Sequence, residues 1–272
     1  MTLNTSGGIS LAGTTSNASI EQEIDGSLYA SPYTSGIAMN DAAFRAMVDK
    51  PTSGTSISMG DFYGASFAQV SVTFGGFWSS GKYYYVYNQV DRCNVNLARV
   101  GAQTAVGTPR SYVAGAGLYT TGVFYAGNGS NKVTRINSSG ALIGSETTVG
   151  TARDSAGGAQ ADASTAVFYG GSPGGITVVN TVTRINSSGA LIGSETSAGS
   201  LVMQKAGAGL TTASTAVFYG GRYGGSIYAT VTRINASGTL IGNESVMNSA
   251  KYMNSGAGVY TTAIFYGGLD NN

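Results

Sequence analysis

Residues 133–147 read VTRINSSGALIGSET, and residues 182–196 repeat all fifteen letters. A third copy, VTRINASGTLIGNE, occupies 231–244, another 49-residue step along the chain. A second motif recurs at nearly the same step, 50 residues. STAVFYGG at 164–171 recurs at 214–221, with looser copies VFYAG (123–127), AIFYGG (263–268) and VTFGG (72–76). Self-similarity at a fixed period near 50 restricts the chain to an array in which one supersecondary unit stacks on copies of itself. A lone unit cannot fold. Ordering each residue costs about 1–2 kcal/mol of backbone entropy, and fully burying one Val, Ile or Phe returns only ~1.5–3 kcal/mol. Neighbouring units must supply the missing burial.

Composition narrows the chemistry. Charged residues are 10% of the 272, well below the usual quarter. With 42 glycines this could read as disorder, but 42% hydrophobic residues and 17 tyrosines indicate a folded, turn-rich β protein. The net charge of +1 comes from scattered basic residues, so no basic stripe is available to neutralise nucleic-acid phosphates. There is no histidine, which removes Ser-His-Asp and Cys-His catalysis and most zinc and copper sites. No phosphate-binding loop is present, and the doublets Gly174-Gly175 and Gly224-Gly225 read as turns. The single cysteine, Cys93, has no partner for an internal disulfide and reads as a small core residue. No cofactor and no metal are expected. The first residues, MTLNTSGGISLAG, lack the basic and apolar regions of a signal peptide. No apolar run approaches the ~20 residues of a membrane helix. Synthesis in the cytoplasm without membrane insertion is expected.

Along the chain, residues 1–65 stand outside the repeat. Asn40–Val48 predicts one short helix, capped by Asn40 and ended before Pro51. Thr55–Gly64 alternates apolar and polar residues as an extended arm would. From residue 66 to 272, each unit predicts four β segments, illustrated by 154–161, 165–171, 181–186 and 190–195, with Asn186–Gly189 as a hairpin turn. Both faces of the second segment are apolar, predicting a strand buried on both sides. Three units are complete. The array opens near 69–95 with segments two to four and ends at 251–268 with segments one and two. The expected architecture joins these ends in one shared sheet, closing a ring of four blades. An open arc completed by another chain is the competing arrangement.

The unit resembles the kelch repeat of β-propellers. The resemblance rests on an arginine in the first segment (Arg110, Arg153) and on an apolar pair followed by Gly-Gly (75–76, 170–171, 220–221, 267–268), with Ala126-Gly127 a partial match. Leu142, Leu191 and Leu240 stand where that family carries a tryptophan. The resemblance implies an all-β, kelch-like β-propeller and says nothing of activity. A second resemblance lies in SGGISLAG (6–13), NDAAFRAMV (40–48) and SGTSISMGDFYGAS (53–66), which are similar to the N-terminal module of tailed-bacteriophage virion proteins, especially of marine and cyanobacterial phages. It implies a virion structural protein, a tail, fibre or baseplate component. Residues 1–65 would attach to other virion proteins, the chain would be a homo-oligomer in the particle, and the propeller would face the host surface.

Two sets of residues stand out as site candidates. Arg135, Arg184 and Arg233 recur with Glu146, Glu195 and Glu244, which reads as a repeated structural bond, within one blade or between neighbours. Aromatic residues break the symmetry: Trp78, Tyr83, Tyr85 and Tyr87 in the first unit, and Tyr223 and Tyr228 in a later loop. They could form a glycan-binding rim or pack the first blade, and the former defines an alternative function, a carbohydrate-binding adhesin. A weaker alternative is glycan cleavage by Asp91, Asp154 or Asp162. The Asn-X-Ser/Thr triplets at Asn137 and Asn186 read as turns.

Overall fold

The computed structural model describes residues 70–270 except 76, 80–83, 95–98, 119–120, 175–176 and 260. The helix expected at Asn40–Val48, the arm at Thr55–Gly64 and Tyr83 lie outside the described residues. The described part is all-β, built from small antiparallel sheets that follow one another along the sequence.

Unit I comprises β1 (Val70–Phe74), β2 (Phe77–Ser79), β3 (Tyr84–Val86), β4 (Gln89–Asn94) and β5 (Thr104–Ala105), arranged as a sheet β1-β4-β5 with a separate β2-β3 hairpin. Unit II is the sheet β6 (Ala114–Leu118), β7 (Thr121–Tyr125), β8 (Ser130–Asn137) and β9 (Thr147–Arg153), whose last residue, Arg153, leads into the first strand of unit III and is counted with that unit. Unit III is β10 (Gly157–Gln160), β11 (Ala166–Tyr169), β12 (Thr181–Ile185) and β13 (Thr196–Ser197). Unit IV contains β14 (Ala206–Leu210), β15 (Thr215–Tyr219), β16 (Arg222–Tyr223), β17 (Ser226–Ile227), β18 (Thr230–Asn235) and β19 (Ser245–Val246). Its sheet is β14-β15-β18-β19, with β16-β17 as a side hairpin. Unit V is the pair β20 (Ser255–Val259) and β21 (Thr262–Tyr266).

The local rules explain each segment. Every residue of β11 and β15 is buried, as the two-sided apolar pattern requires. In the first strands of units II to V, small residues alternate. Ala114, Ala116, Ala206 and Ala208 are buried in the core, and the glycines between them lie against the next unit. A Cβ on Gly158 would stand 2.5 Å from the Gly115 carbonyl oxygen, and one on Gly256 would stand 2.6 Å from that of Gly207. The first strands of successive units therefore touch backbone to backbone. Two residues before each first strand, Tyr112, Ser155, Gln204 and Met253 all take a left-handed φ of 54–60°. These kinks are wired in series. Ser155 N–H donates to Tyr112 O, Gln204 N–H to Ser155 O, and Met253 N–H to Gln204 O.

One expectation is corrected, and a second, the shared closing sheet, is not met among the described residues. The stretch 190–195 is not the fourth strand. Leu191 makes only a single bridge to Ile185, Gly193 turns the chain at φ 63°, and the strand is Thr196–Ser197, paired with Val182 and Thr181. The same bridge forms from Leu142 to Ile136 and from Leu240 to Ile234. Among the described residues, β20-β21 and β1-β4-β5 are distinct sheets, so no closed ring is identified. Residues Thr262–Tyr266 pair with Val259–Ser255 alone.

Candidate functional site

The chemistry of the described chain concentrates where one unit meets the next. Strand register fixes equivalent positions. Val123 faces Arg135 as Val72 faces Arg92, and Val167 and Val217 face Arg184 and Arg233. At each seam an aromatic ring of one unit tilts against a phenylalanine of the next. The pairs are Phe74–Phe124, Tyr125–Phe168, Tyr169–Phe218 and Tyr219–Phe265, with centroids 5.2–5.4 Å apart and planes at 51–54°.

A buried cation from the following unit covers the first ring of three of these pairs. Arg110 Cζ lies 5.5 Å from the centroid of Phe74, Arg153 Cζ 5.3 Å from Tyr125, and Lys205 Nζ 4.9 Å from Tyr169. Each cation donates to a buried threonine of its own third strand: Arg110 to Thr134, Arg153 to Thr183 and Lys205 to Thr232. Each threonine in turn donates to a glutamate: Thr134 to Glu146, Thr183 to Glu195 and Thr232 to Glu244. The glutamates also accept from the preceding unit. Thr108 Oγ1 reaches Glu146 at 2.5 Å, Thr151 Oγ1 reaches Glu195 at 2.6 Å, and Ser200 Oγ reaches Glu244.

These surroundings set the protonation states. Burial pushes the three carboxyls up, but the hydroxyl and amide donors and the nearby cation outweigh it and hold each below the ordinary carboxylate value. Burial lowers Arg110 and Arg153, with Glu146 and Glu195 among the groups pulling back. Burial pushes Lys205 down to about 8, against the opposing pull of Glu244.

The repeated arginines of the third strands serve a different bond. Arg92 Nη1 donates to Ser138 O at 3.1 Å, Arg135 Nη1 to Ser187 O at 3.4 Å, and Arg184 Nη1 to Ala236 O at 3.5 Å. Each thus grips the hairpin turn of the following unit. Thr104, Thr147 and Thr196 hydroxyls bind the glycine carbonyls of the same turns, at Gly140, Gly189 and Gly238. The turns are shaped by asparagine. Asn186 Oδ1 accepts from Ser188 and Ala190 N–H, and Asn137 and Asn235 accept in the same way from Ala141 and Thr239 N–H. Arginine and glutamate repeats therefore act at separate places. Sequence spacing suggested partners because both recur every 49 residues. It concealed the true cations, which precede the first strands.

The aromatic candidates divide between two hairpins. Trp78 on β2 faces Tyr85 on β3 across the strands of unit I. Tyr223 belongs to β16 in unit IV, and Tyr228 packs against the core there. Both hairpins occupy the same slot, between the second and third strands of their units. Tyr85 is 50% and Tyr223 41% exposed, and Tyr87 is half-buried. The three aspartates lie in different units. Asp91 accepts from Gln103 Nε2 at 2.6 Å, Asp154 from Gly129 N–H at 2.7 Å, and Asp162 from Ser164 N–H at 2.9 Å. Register makes Asp91 the counterpart of Thr134, and Gln103 the counterpart of Glu146, so unit I carries its acid on the opposite strand. Cys93 is half-buried in β4. Among the described residues, no three His, Cys, Asp or Glu side chains group as metal ligands, and no helix is long and apolar enough to cross a membrane. Set beside protein-family profiles and curated proteins, the chain matches none.

Proposed function

We propose that this chain is a non-enzymatic structural protein of a tailed-phage particle, a tail, fibre or baseplate component that presents a kelch-like array of β-sheets. Residues 1–65 attach it to other virion proteins, and the sheet array projects outward as an open arc of propeller-type blades. The observation that carries this reading is the use of the recurrent charges. The glutamates and the buried cations at three of the four seams, and Arg92, Arg135 and Arg184, which grip the next turn, are engaged in holding unit to unit, while Arg233 is exposed. A chain that spends most of its recurrent charges on cohesion is suited to bearing load. The similarity of residues 6–13, 40–48 and 53–66 to phage N-terminal modules supplies the setting. Mass spectrometry of purified particles tests it. Peptides of this chain at a fixed copy number support the reading, and their absence from particles that infect normally ends it.

A second reading has its own support, the exposed tyrosines of two hairpins in equivalent slots, Tyr85 and Tyr223. Flat exposed aromatics stack on sugar faces, so these hairpins make host-surface glycan contact the external task of the array. Binding to host polysaccharide, weakened severalfold by Tyr223→Ala with an unchanged melting temperature, supports this. Equal binding by the variant refutes it.

A further inference from the structure

Resting on the glycan-contact reading, we infer that the β16-β17 hairpin of unit IV selects an acidic polysaccharide. Arg222 binds a sugar carboxylate on one side of the hairpin, and Tyr223 stacks on a neighbouring sugar on the other.

Arg222 is a half-buried cation that cohesion does not use. Among the described residues, every other lysine and arginine except the exposed Arg233 has a hydrogen-bond or ion-pair partner. Arg222 has neither, and its Nε is buried without an acceptor. What holds the side chain is the ring of Tyr252, whose centroid lies 5.3 Å from Cζ. The guanidinium has therefore lost part of its hydration without gaining a counter-charge.

Comparison between units shows how this arises. Isolated bridges join Asp154 to Ser172, Met203 to Arg222 and Tyr252 to Leu269, always from the third residue before a first strand. Arg222 thus stands where unit III has the buried Ser172, and Tyr252 stands where unit III has Asp154. Asp154 reaches back into the slot of unit II and accepts from Gly129 N–H at 2.7 Å. Tyr252 reaches back into the slot of unit IV and brings a ring instead. A carboxylate at that position would neutralise Arg222. The ring orients the guanidinium and leaves its charge available.

The hairpin decides what size of ligand fits. Successive strand residues point to opposite faces. Register sets Arg222 across from Ile227, and Tyr223 across from Ser226. Charge and exposed ring therefore occupy the two sides of one narrow hairpin, with Tyr223 41% exposed. The tip between them is open, because a Cβ on Gly224 or Gly225 meets nothing within 4 Å. A single sugar cannot touch both sides. A chain of sugars crossing the tip can, with a carboxylate on the planar fork of Arg222 and a flat sugar face on Tyr223. A neutral chain would leave Arg222 uncompensated, and a free acidic monosaccharide would leave Tyr223 unused.

Titration calorimetry of the 272-residue chain with polygalacturonate and with its neutral methyl ester tests this at low salt, where screening is weakest. The wild type should bind the acidic polymer about tenfold more tightly than the ester. Arg222→Gln should erase that preference and keep the affinity for the ester. Arg222→Lys, which keeps the charge, should retain part of the preference, and Arg233→Gln should retain all of it. Circular dichroism checks that each variant folds. No binding of polygalacturonate, equal affinity for acid and ester, or a preference indifferent to Arg222→Gln overturns the inference and leaves glycan contact standing. Equally tight binding of polyacrylate also overturns it, because the hairpin would then be a site for any polyanion. If Tyr223→Ala weakens the binding of neither sugar polymer, the glycan contact itself falls.

Discussion

Lys205 and Arg153 hold different places in the repeat and deliver charge to the same spot. Arg153 lies four residues before its first strand and Lys205 one residue before. Each nevertheless covers the tyrosine of the preceding unit and binds the threonine of its own third strand. Val202 occupies the place that arginine holds in units II and III, and it is buried. Three seams thus receive a cation, and two backbone positions can supply it.

This relation predicts a rescue. Lys205→Ala leaves Glu244 without its buried countercharge and should cost about 3 kcal/mol. Adding Val202→Arg should recover at least half of the loss, because position 202 then offers the arginine route of unit III. Urea denaturation of the two variants measures it. No recovery would mean that the Lys205 stem, rather than its charge, holds the seam.

The same lysine should make stability rise with alkalinity. Its folded value of about 8 lies below the ordinary 10.5. Between those values the unfolded chain holds a proton that the folded chain has released, so stability climbs with pH, by about 3 kcal/mol over the whole window. Burial raises Tyr169 above its ordinary 10.0, which opposes the trend beyond that point. The melting temperature should therefore rise between pH 7 and pH 9.5 by more than it does in Lys205→Met.

Acid acts in the opposite direction. The carboxyls of Glu146, Glu195 and Glu244 lie below their ordinary 4.5 in the folded chain. Their contribution is whole above that value and is lost as pH falls through the folded values. Glu195→Gln should lower stability at neutral pH and flatten the loss between pH 5 and pH 3, read as the midpoint of acid unfolding.

Two glycines of similar appearance should behave differently. Gly158→Ala forces a Cβ onto the Gly115 carbonyl and should cost about 1–3 kcal/mol. A Cβ on Gly117 meets nothing within 4 Å. Gly117→Ala should change stability by less than about 0.5 kcal/mol. Calorimetry of the pair separates backbone contact from general strand propensity.

Much of this order was visible in the letters. The period, the second strands and the asparagine turns follow from pattern alone, because burial on both faces and side-chain-capped turns leave strong local marks. The fourth strand did not, since Leu191 looks like a strand residue while Gly193 turns the chain before Thr196. Nor did the seam cations, because contact between units links residues far apart in sequence, 38 positions for Thr108–Glu146 and 44 for Thr151–Glu195. Lys205 was hidden further by its three-residue offset. The exposed hairpin tyrosines could be found from sequence as departures from the repeat, although their membership of one shared slot required the strand order.

The left-handed residues Tyr112, Ser155, Gln204 and Met253 hand one hydrogen bond to the next along the array. A joint of that kind is indifferent to which copy stands on either side. Excising or inserting one whole period would splice compatible joints together and leave the junctions sound. The reach of this protein can then lengthen or shorten in fixed increments during evolution without redesign of any module.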